Sequence, residues 1–316
     1  MSSAWAERTE GLTPTQRATF ERLSSRLEDR PTFPPELAES LRAELADRLA
    51  PISERLDEQL FLNKYRLDRV LGCEVRPEDE FEWTAPKARG TVGHKAIELS
   101  VMRRDDPPPL DLIDDAIGSL VAEQRSLGDW LATQDASTVA RVRAEANSTL
   151  VGFLETWPPI DKRWWPVLEG TMTAEFGQVR LSGRPDLTIG RAKGQSAGKV
   201  IVDFKTGRVH AAHVADLRFY ALIDTLRIGT PPRMLATSYL DSGQLLTEAV
   251  TEDVLVATVD RVVDAAGRIA TLEAGERDPE LRPGIPCRWC SIRHSCTEGA
   301  AFLAAAADEG ALDDAI

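Results

Sequence analysis

Two stretches decide how this chain is read. They are Gly183-Arg184-Pro185-Asp186 and, after a polar turn at 191–198, Lys199-Val200-Ile201-Val202-Asp203-Phe204-Lys205-Thr206-Gly207. The second is an apolar β-run that ends on charge. Side chains alternate along a strand, so Asp203 and Lys205 share one face and Phe204 takes the other. Asp186 stands 203 − 186 = 17 positions before Asp203, with the turn between them, so adjacent antiparallel strands bring the two carboxylates together. Like charges held close raise each other's cost of ionising. A divalent cation relieves that cost, and Mg²⁺ favours oxygen ligands while keeping several waters. The competing reading is an ordinary Asp203–Lys205 pair with Asp186 in a turn.

Working outward, 171–176, 178–181 and 186–190 have strand composition. A helix is expected over 213–226, and 234–240 with 244–250 form a hairpin around Asp241-Ser242-Gly243. Thr251 caps a long helix carrying Val254, Val259, Val262, Val263 and Ile269. Upstream, Thr13-Pro14-Thr15-Gln16 starts a helix through Phe20, Leu23 and Leu27 that runs toward Pro31. A second follows Pro34-Pro35 with Leu37, Leu41, Leu45 and Leu49 on one stripe. This pair is an extension packed on the core or a docking surface. A short helix ends near Leu71-Gly72-Cys73, Gly90-Thr91-Val92-Gly93-His94 opens another, and 110–157 is helical up to Pro158-Pro159. The order argues α/β with a mixed sheet rather than a doubly wound parallel one. It divides into a helical extension at 1–58, a core at 59–298 with a helical insertion at about 108–158, and an acidic, Ala-rich, frayed tail at 299–316.

The 316 residues are 42% apolar and 28% charged, which fits a folded protein with a real core and excludes wholesale disorder. No apolar run is long enough to cross a bilayer. Residues 1–11 carry Glu7, Arg8 and Glu10 and do not read as a secretory signal, so the expected location is the cytoplasm with no membrane partner. A formal charge of −13 disfavours broad, non-specific coating of nucleic acid, but tolerates a carboxylate-rich metal site and a local cationic groove.

Four cysteines are too few to staple this chain with disulfides. Cys287-Arg288-Trp289-Cys290 with Cys296 gives C-x2-C-x5-C, and Cys73 is the fourth. Gathered thiolates bind a soft or borderline metal. Four suit an iron–sulfur cubane. Zinc held by Cys287, Cys290, Cys296 and either Cys73 or His294 is the alternative.

Together, Gly183-Arg184-Pro185-Asp186 and Asp203-Phe204-Lys205-Thr206-Gly207 resemble the PD-(D/E)XK nuclease superfamily, specifically its RecB-like exonuclease branch. That branch has a Gly-x-x-x-His helix upstream, matched by residues 90–94, and a Gln-x-x-x-Tyr helix downstream, where Asp216-Leu217-Arg218-Phe219-Tyr220 stands. The resemblance implies a restriction-endonuclease-like mixed sheet flanked by helices. It makes His94, Asp186, Asp203 and the Phe204 carbonyl ligands of Mg²⁺ or Mn²⁺, and Lys205 the residue that positions or activates the attacking water. It puts Tyr220, Arg184 and Asp216 on the substrate side, although an acid in place of the branch's Gln cannot donate to a phosphate. Glu169 is a further carboxylate that the sequence does not place. The four-cysteine pattern is similar to the AddB-type and CRISPR-associated members, which implies a structural [4Fe-4S] cluster on Cys73, Cys287, Cys290 and Cys296.

The function so implied is hydrolysis of phosphodiester bonds, in single-stranded DNA and with exonuclease action, in repair, recombination or defence. A helicase or repair partner would dock on the N-terminal helices. The rivals are a catalytically silent nuclease-like module that binds DNA or a helicase, and a zinc-stabilised interaction protein. Arg208, His210, His213 and Arg218, with Arg282, Arg288, Arg293 and His294, form a possible cationic track. Trp157, Trp164 and Trp165 either stack unpaired bases or pack the core, and packing is expected for at least two of them.

Overall fold

The computed structural model describes residues 10–77, 81–103, 105, 107–123, 125–210 and 212–308. The start of the chain through residue 9 and the acidic end from 309, including Asp313 and Asp314, lie outside them.

Helix α1 (Pro14–Leu23) starts on the expected Thr13–Gln16 capping box. It stops well before Pro31, because Ser24 turns extended while its N–H still closes on the Phe20 carbonyl. Leu27 then falls in a separate 3-10 turn. Helix α2 (Leu37–Ser53) buries the leucine stripe, with Leu45 and Leu49 fully enclosed. Each such burial stabilises the fold by about 1.5–3 kcal/mol. After β1 (Leu60–Leu62) come α3 (Lys64–Leu71) and α4 (Ala85–Met102). Residues 90–94 therefore lie inside α4 rather than opening it. Thr84 caps the helix and Pro86 occupies its first turn, so the start is set earlier. Helices α5 (Pro109–Glu123), α6 (Arg125–Thr133) and α7 (Ala136–Thr156) follow.

Five strands then run β2 (Val167–Leu168), β3 (Met172–Phe176), β4 (Val179–Gly183), β5 (Leu187–Ile189) and β6 (Val200–Lys205). Helix α8 (Ala212–Ile228), β7 (Met234–Tyr239), β8 (Gln244–Ala249) and α9 (Glu252–Glu273) complete the core. Helix α10 (Thr297–Asp308) occupies the first part of the expected frayed tail. Alanine is the strongest helix former, and its run here outweighs the end effects.

The strands form two mixed sheets, ordered β1-β4-β3 and β2-β5-β6-β7-β8. Among the described residues, only β1–β4 and β6–β7 pair in parallel. One long hairpin joins the sheets without changing register: Met172 faces Gly183 in one, and Leu168 faces Leu187 in the other. Between them the Glu169 N–H donates to the Asp186 carbonyl at 3.0 Å. The ladder breaks at 184–186, where Pro185 has no N–H to give. That seam carries Glu169 on one arm and Asp186 on the other.

Strand β6 divides two cores. Val200, Val202 and Phe204 face α4, α5 and α7, whereas Ile201 faces α2, α8 and α9. Asp203 and Lys205 share the Ile201 side. Phe204 is locked from behind by the edges of Phe153 and Trp157, with centroids 5.4 and 5.3 Å away. The leucine stripe of α2 is built into the chain's own core and is not open to a partner.

Candidate active site

Antiparallel pairing of β5 with β6 sets Leu187 opposite Val202 and so brings Asp186 beside the end of β6. The Asp186 carboxylate accepts the Phe204 N–H at 2.5 Å with Oδ2 and meets His94 Nδ1 at 3.2 Å with Oδ1. His94 comes from the middle of α4, held close to α7 because residue 93 is glycine. A Cβ there would sit 2.9 Å from Thr149 Cγ2.

Glu169 completes the cluster: one donor atom each from His94, Glu169 and Asp186 lie within 4.8 Å of one another. Glu169 holds φ 49°, a left-handed backbone that costs a non-glycine residue about 1–2 kcal/mol. Burial, and then the charge of Asp186, push its carboxyl up to about 7. Burial works in the same direction on Asp186, but the charge and hydrogen bond of His94, the Phe204 N–H and Lys205 hold its carboxyl below the ordinary range.

Asp203 is only 2% exposed and stands beside this group rather than within it. Lys205 Nζ lies 2.5 Å from its Oδ2, as expected from the shared face. A nitrogen ligand and three crowded carboxylates, one of them almost wholly buried, fit a divalent cation.

A family model described as the PD-(D/E)XK nuclease superfamily matches residues 63–297. The chain belongs to the PD-(D/E)XK nuclease superfamily. Among solved structures, one from Eubacterium rectale described as “Putative exonuclease” is similar at 14% identity with a TM-score of 0.46, covering 78% of this chain and 91% of that one. No curated protein matches the chain. None of the described helices is long and apolar enough to cross a membrane.

Within this superfamily fold, Tyr220 is 2% exposed, and Lys64 Nζ stands 5.6 Å from its ring centroid. Its ring lies against Gly183, where a Cβ would come within 2.6 Å of Cδ1. Asp216 does not reach outward alone. It pairs at 3.7 Å with Lys64 Nζ, which also stands 3.8 Å from Asp203 Oδ1. Lys64 is a second site lysine that the motifs do not reveal, since it lies far upstream on α3. Burial alone would lower its pKa, but Asp203, with Tyr65, Asp216 and Asp186, raises it. Arg184 is 61% exposed along its side chain and pairs with Glu169 at 2.8 Å.

The proposed cationic track is thinner than its sequence. Burial, and then the charge of Lys205, push His213 down to about 4, so its ring is neutral near pH 7. His213 Nδ1 instead meets the Tyr239 hydroxyl at 2.9 Å. Arg218 pairs with Glu248, and Arg282 pairs with Glu280 while donating to the Leu71 carbonyl at 3.1 Å. Trp157 is buried and donates to Ser238 Oγ at 2.9 Å, and Trp164 packs on Phe20. Trp165 is exposed under Arg191.

None of the four cysteines is in a disulfide, and all four line one cavity of about 260 Å³ where Leu71–Arg76 meets the loops after α9. His294 is not among the residues lining it. Three of the sulfurs face backbone N–H groups: Arg282 to Cys73 at 3.5 Å, Gly284 to Cys287 at 3.4 Å and Gly299 to Cys296 at 3.3 Å. Beside them Glu74, its side chain fully enclosed, joins Arg277, Arg268 and the Glu280 N–H. The Arg277 hydrogen bond outweighs burial and holds the Glu74 carboxyl down to about 2.

Proposed function

We propose that the chain is a Mg²⁺- or Mn²⁺-dependent nuclease of the RecB-like branch, acting on single-stranded DNA with exonuclease action. The observation that carries this reading is the meeting of His94, Glu169 and Asp186 at the sheet seam, with Asp203 and Lys205 alongside. His94, Asp186, Asp203 and the Phe204 carbonyl, joined by Glu169, would hold the cation. When bound, it lowers the pKa of a coordinated water and polarises the phosphoryl oxygen.

The protein's own residues do the rest. Phe204 N–H fixes the Asp186 carboxylate, and Asp186 orients the His94 ring. Lys205, whose ammonium is stabilised by Asp203 against the opposing effect of burial, positions the attacking water and offsets charge growing on the phosphate. Tyr220 sets the floor against which the strand lies. The working unit is residues 59–298 with its insertion at about 108–158. Residues 1–58 and 299–316 are an extension and a tail, and the outer face of the extension remains open to a helicase or repair partner.

The cysteines are proposed to hold a [4Fe-4S] cluster rather than zinc. Tetrahedral zinc–thiolate sites set sulfurs about 3.8 Å apart. Among the described residues, no three cysteine sulfurs lie within 4.8 Å of one another. The roomy cavity and the N–H groups aimed at sulfur support a cluster.

The test is cleavage of labelled single- and double-stranded DNA with and without Mn²⁺, with iron measured on the same sample. Asp203→Asn and Lys205→Ala are expected to cut cleavage at least about a hundredfold while leaving the melting transition cooperative. Cleavage by either at the parent rate would overturn the assignment.

A further inference from the structure

We propose that Lys64 and Tyr65 form a nucleotide subsite beside the reacting centre, Lys64 taking a phosphate and Tyr65 stacking the base next to it. The proposal rests on the nuclease reading and names how that site would grip an unpaired strand. Both residues open α3, which is fixed at its start by Asn63 Oδ1 accepting the Arg66 N–H at 2.9 Å and along its length by buried Leu67 and Val70.

Lys64 Nζ lies 3.8 Å from Asp203 Oδ1 and 3.7 Å from Asp216 Oδ2. Both separations exceed hydrogen-bond length, so charge rather than a close hydrogen bond holds the ammonium, whose side chain is 14% exposed. Asp216 cannot donate to a phosphate, but it holds in place a group that can. The same Nζ lies 5.3 Å from the Tyr65 ring centroid and 5.6 Å from that of Tyr220. Tyr220 is buried, whereas Tyr65 is 74% exposed, so a ring steered by the site's own cation stands open to solvent at its edge. Every base has a π-face, so such a ring favours a single strand without selecting sequence. A paired base would first have to leave its stack.

The experiment measures binding of a labelled oligothymidylate, and of an abasic strand of the same length, by the full chain carrying Asp186→Asn to suppress cleavage. Adding Tyr65→Ala is expected to weaken the oligothymidylate about tenfold and leave the abasic strand unchanged, with Tyr65→Trp restoring affinity. Adding Lys64→Met is expected to lower the slope of log affinity against log salt by about one for both strands. Equal binding of oligothymidylate with and without Tyr65, or an unchanged salt slope, overturns the subsite. Failure of the unsubstituted chain to cleave DNA in Mn²⁺ overturns the nuclease reading instead, and the binding results are read separately from it.

Discussion

The carboxylate centre and the cysteine cavity stand at opposite ends of α3, with Lys64 at its first position and Cys73 two residues past its last. They are built by different physics. Asp186 and Asp203 stand where β5 pairs with the end of β6, and the backs of these strands are filled by Phe204, Phe153 and Trp157, so apolar burial fixes them whether or not an ion is bound. The cysteine cavity is walled mostly by loops, with the ends of α3 and α10, and its four cysteines are each partly exposed. What joins its walls is polar: Glu74 with Arg277 and Arg268, and Arg282 on the last turn of α3. A site framed by a core keeps its shape when one residue changes. A site framed by loops depends on what bridges it.

That contrast is most sharply broken by Cys290→Ala. Structural metal sites contribute folding energy directly. Loss of bound iron, with a fall in stability of several kcal/mol centred on residues 71–76 and 281–299, is therefore expected by iron assay and hydrogen exchange. Unchanged iron and melting temperature would remove the cysteines from any ligand set. Glu74→Gln should come next, at about 1.5–3 kcal/mol, since it replaces charge-assisted hydrogen bonds from the partly exposed Arg277 and Arg268 with neutral ones. Thermal unfolding measures it. Manganese binding at the carboxylate centre is expected to stay within about twofold of the parent, and a larger change would mean that the two ends of α3 are not independent.

The sequence carries the first site far more openly than the second lysine. Alternation along Val200–Lys205 foretells which side Asp203 and Lys205 share and that Phe204 turns away, because a strand's period is local. The β5–β6 pairing that joins Asp186 to it follows from one turn. Lys64 has no such local signal. Its approach to Asp203 and Asp216 needs α3 packed on α8, a contact between segments far apart in the chain. Glu169 is visible as a carboxylate, but its place depends on a break in a hairpin whose register never changes, and on a left-handed residue that composition does not mark. The start of α4 shows a competing local signal. The glycines at 90 and 93 suggest a beginning, yet Thr84 and Pro86 supply the cap that sets it. Packing of α2 on the core was readable from its leucine period. The helix over Thr297–Asp308 was obscured by the acidic residues that follow it.

Two glycines close to the site give the smallest effects. At Gly183 an added Cβ would lie 2.6 Å from Tyr220 Cδ1 and 2.8 Å from Cε1. Gly183→Ala must move either a buried ring or a strand, at about 1–3 kcal/mol in denaturant unfolding. Because the Tyr220 ring also lies under Lys64, the Michaelis constant for single-stranded DNA should rise more than the turnover number falls. Gly90 lies inside α4, four residues before His94, and nothing stands within 4 Å of its missing Cβ. There the helix-interior penalty of glycine is the whole effect, and Gly90→Ala should stabilise the protein by about 0.5–1 kcal/mol. If DNA passes over α4 at this point, the same methyl group lowers cleavage while raising the melting temperature. If both rise together, the strand runs elsewhere, and the open space above Gly90 is no part of its path.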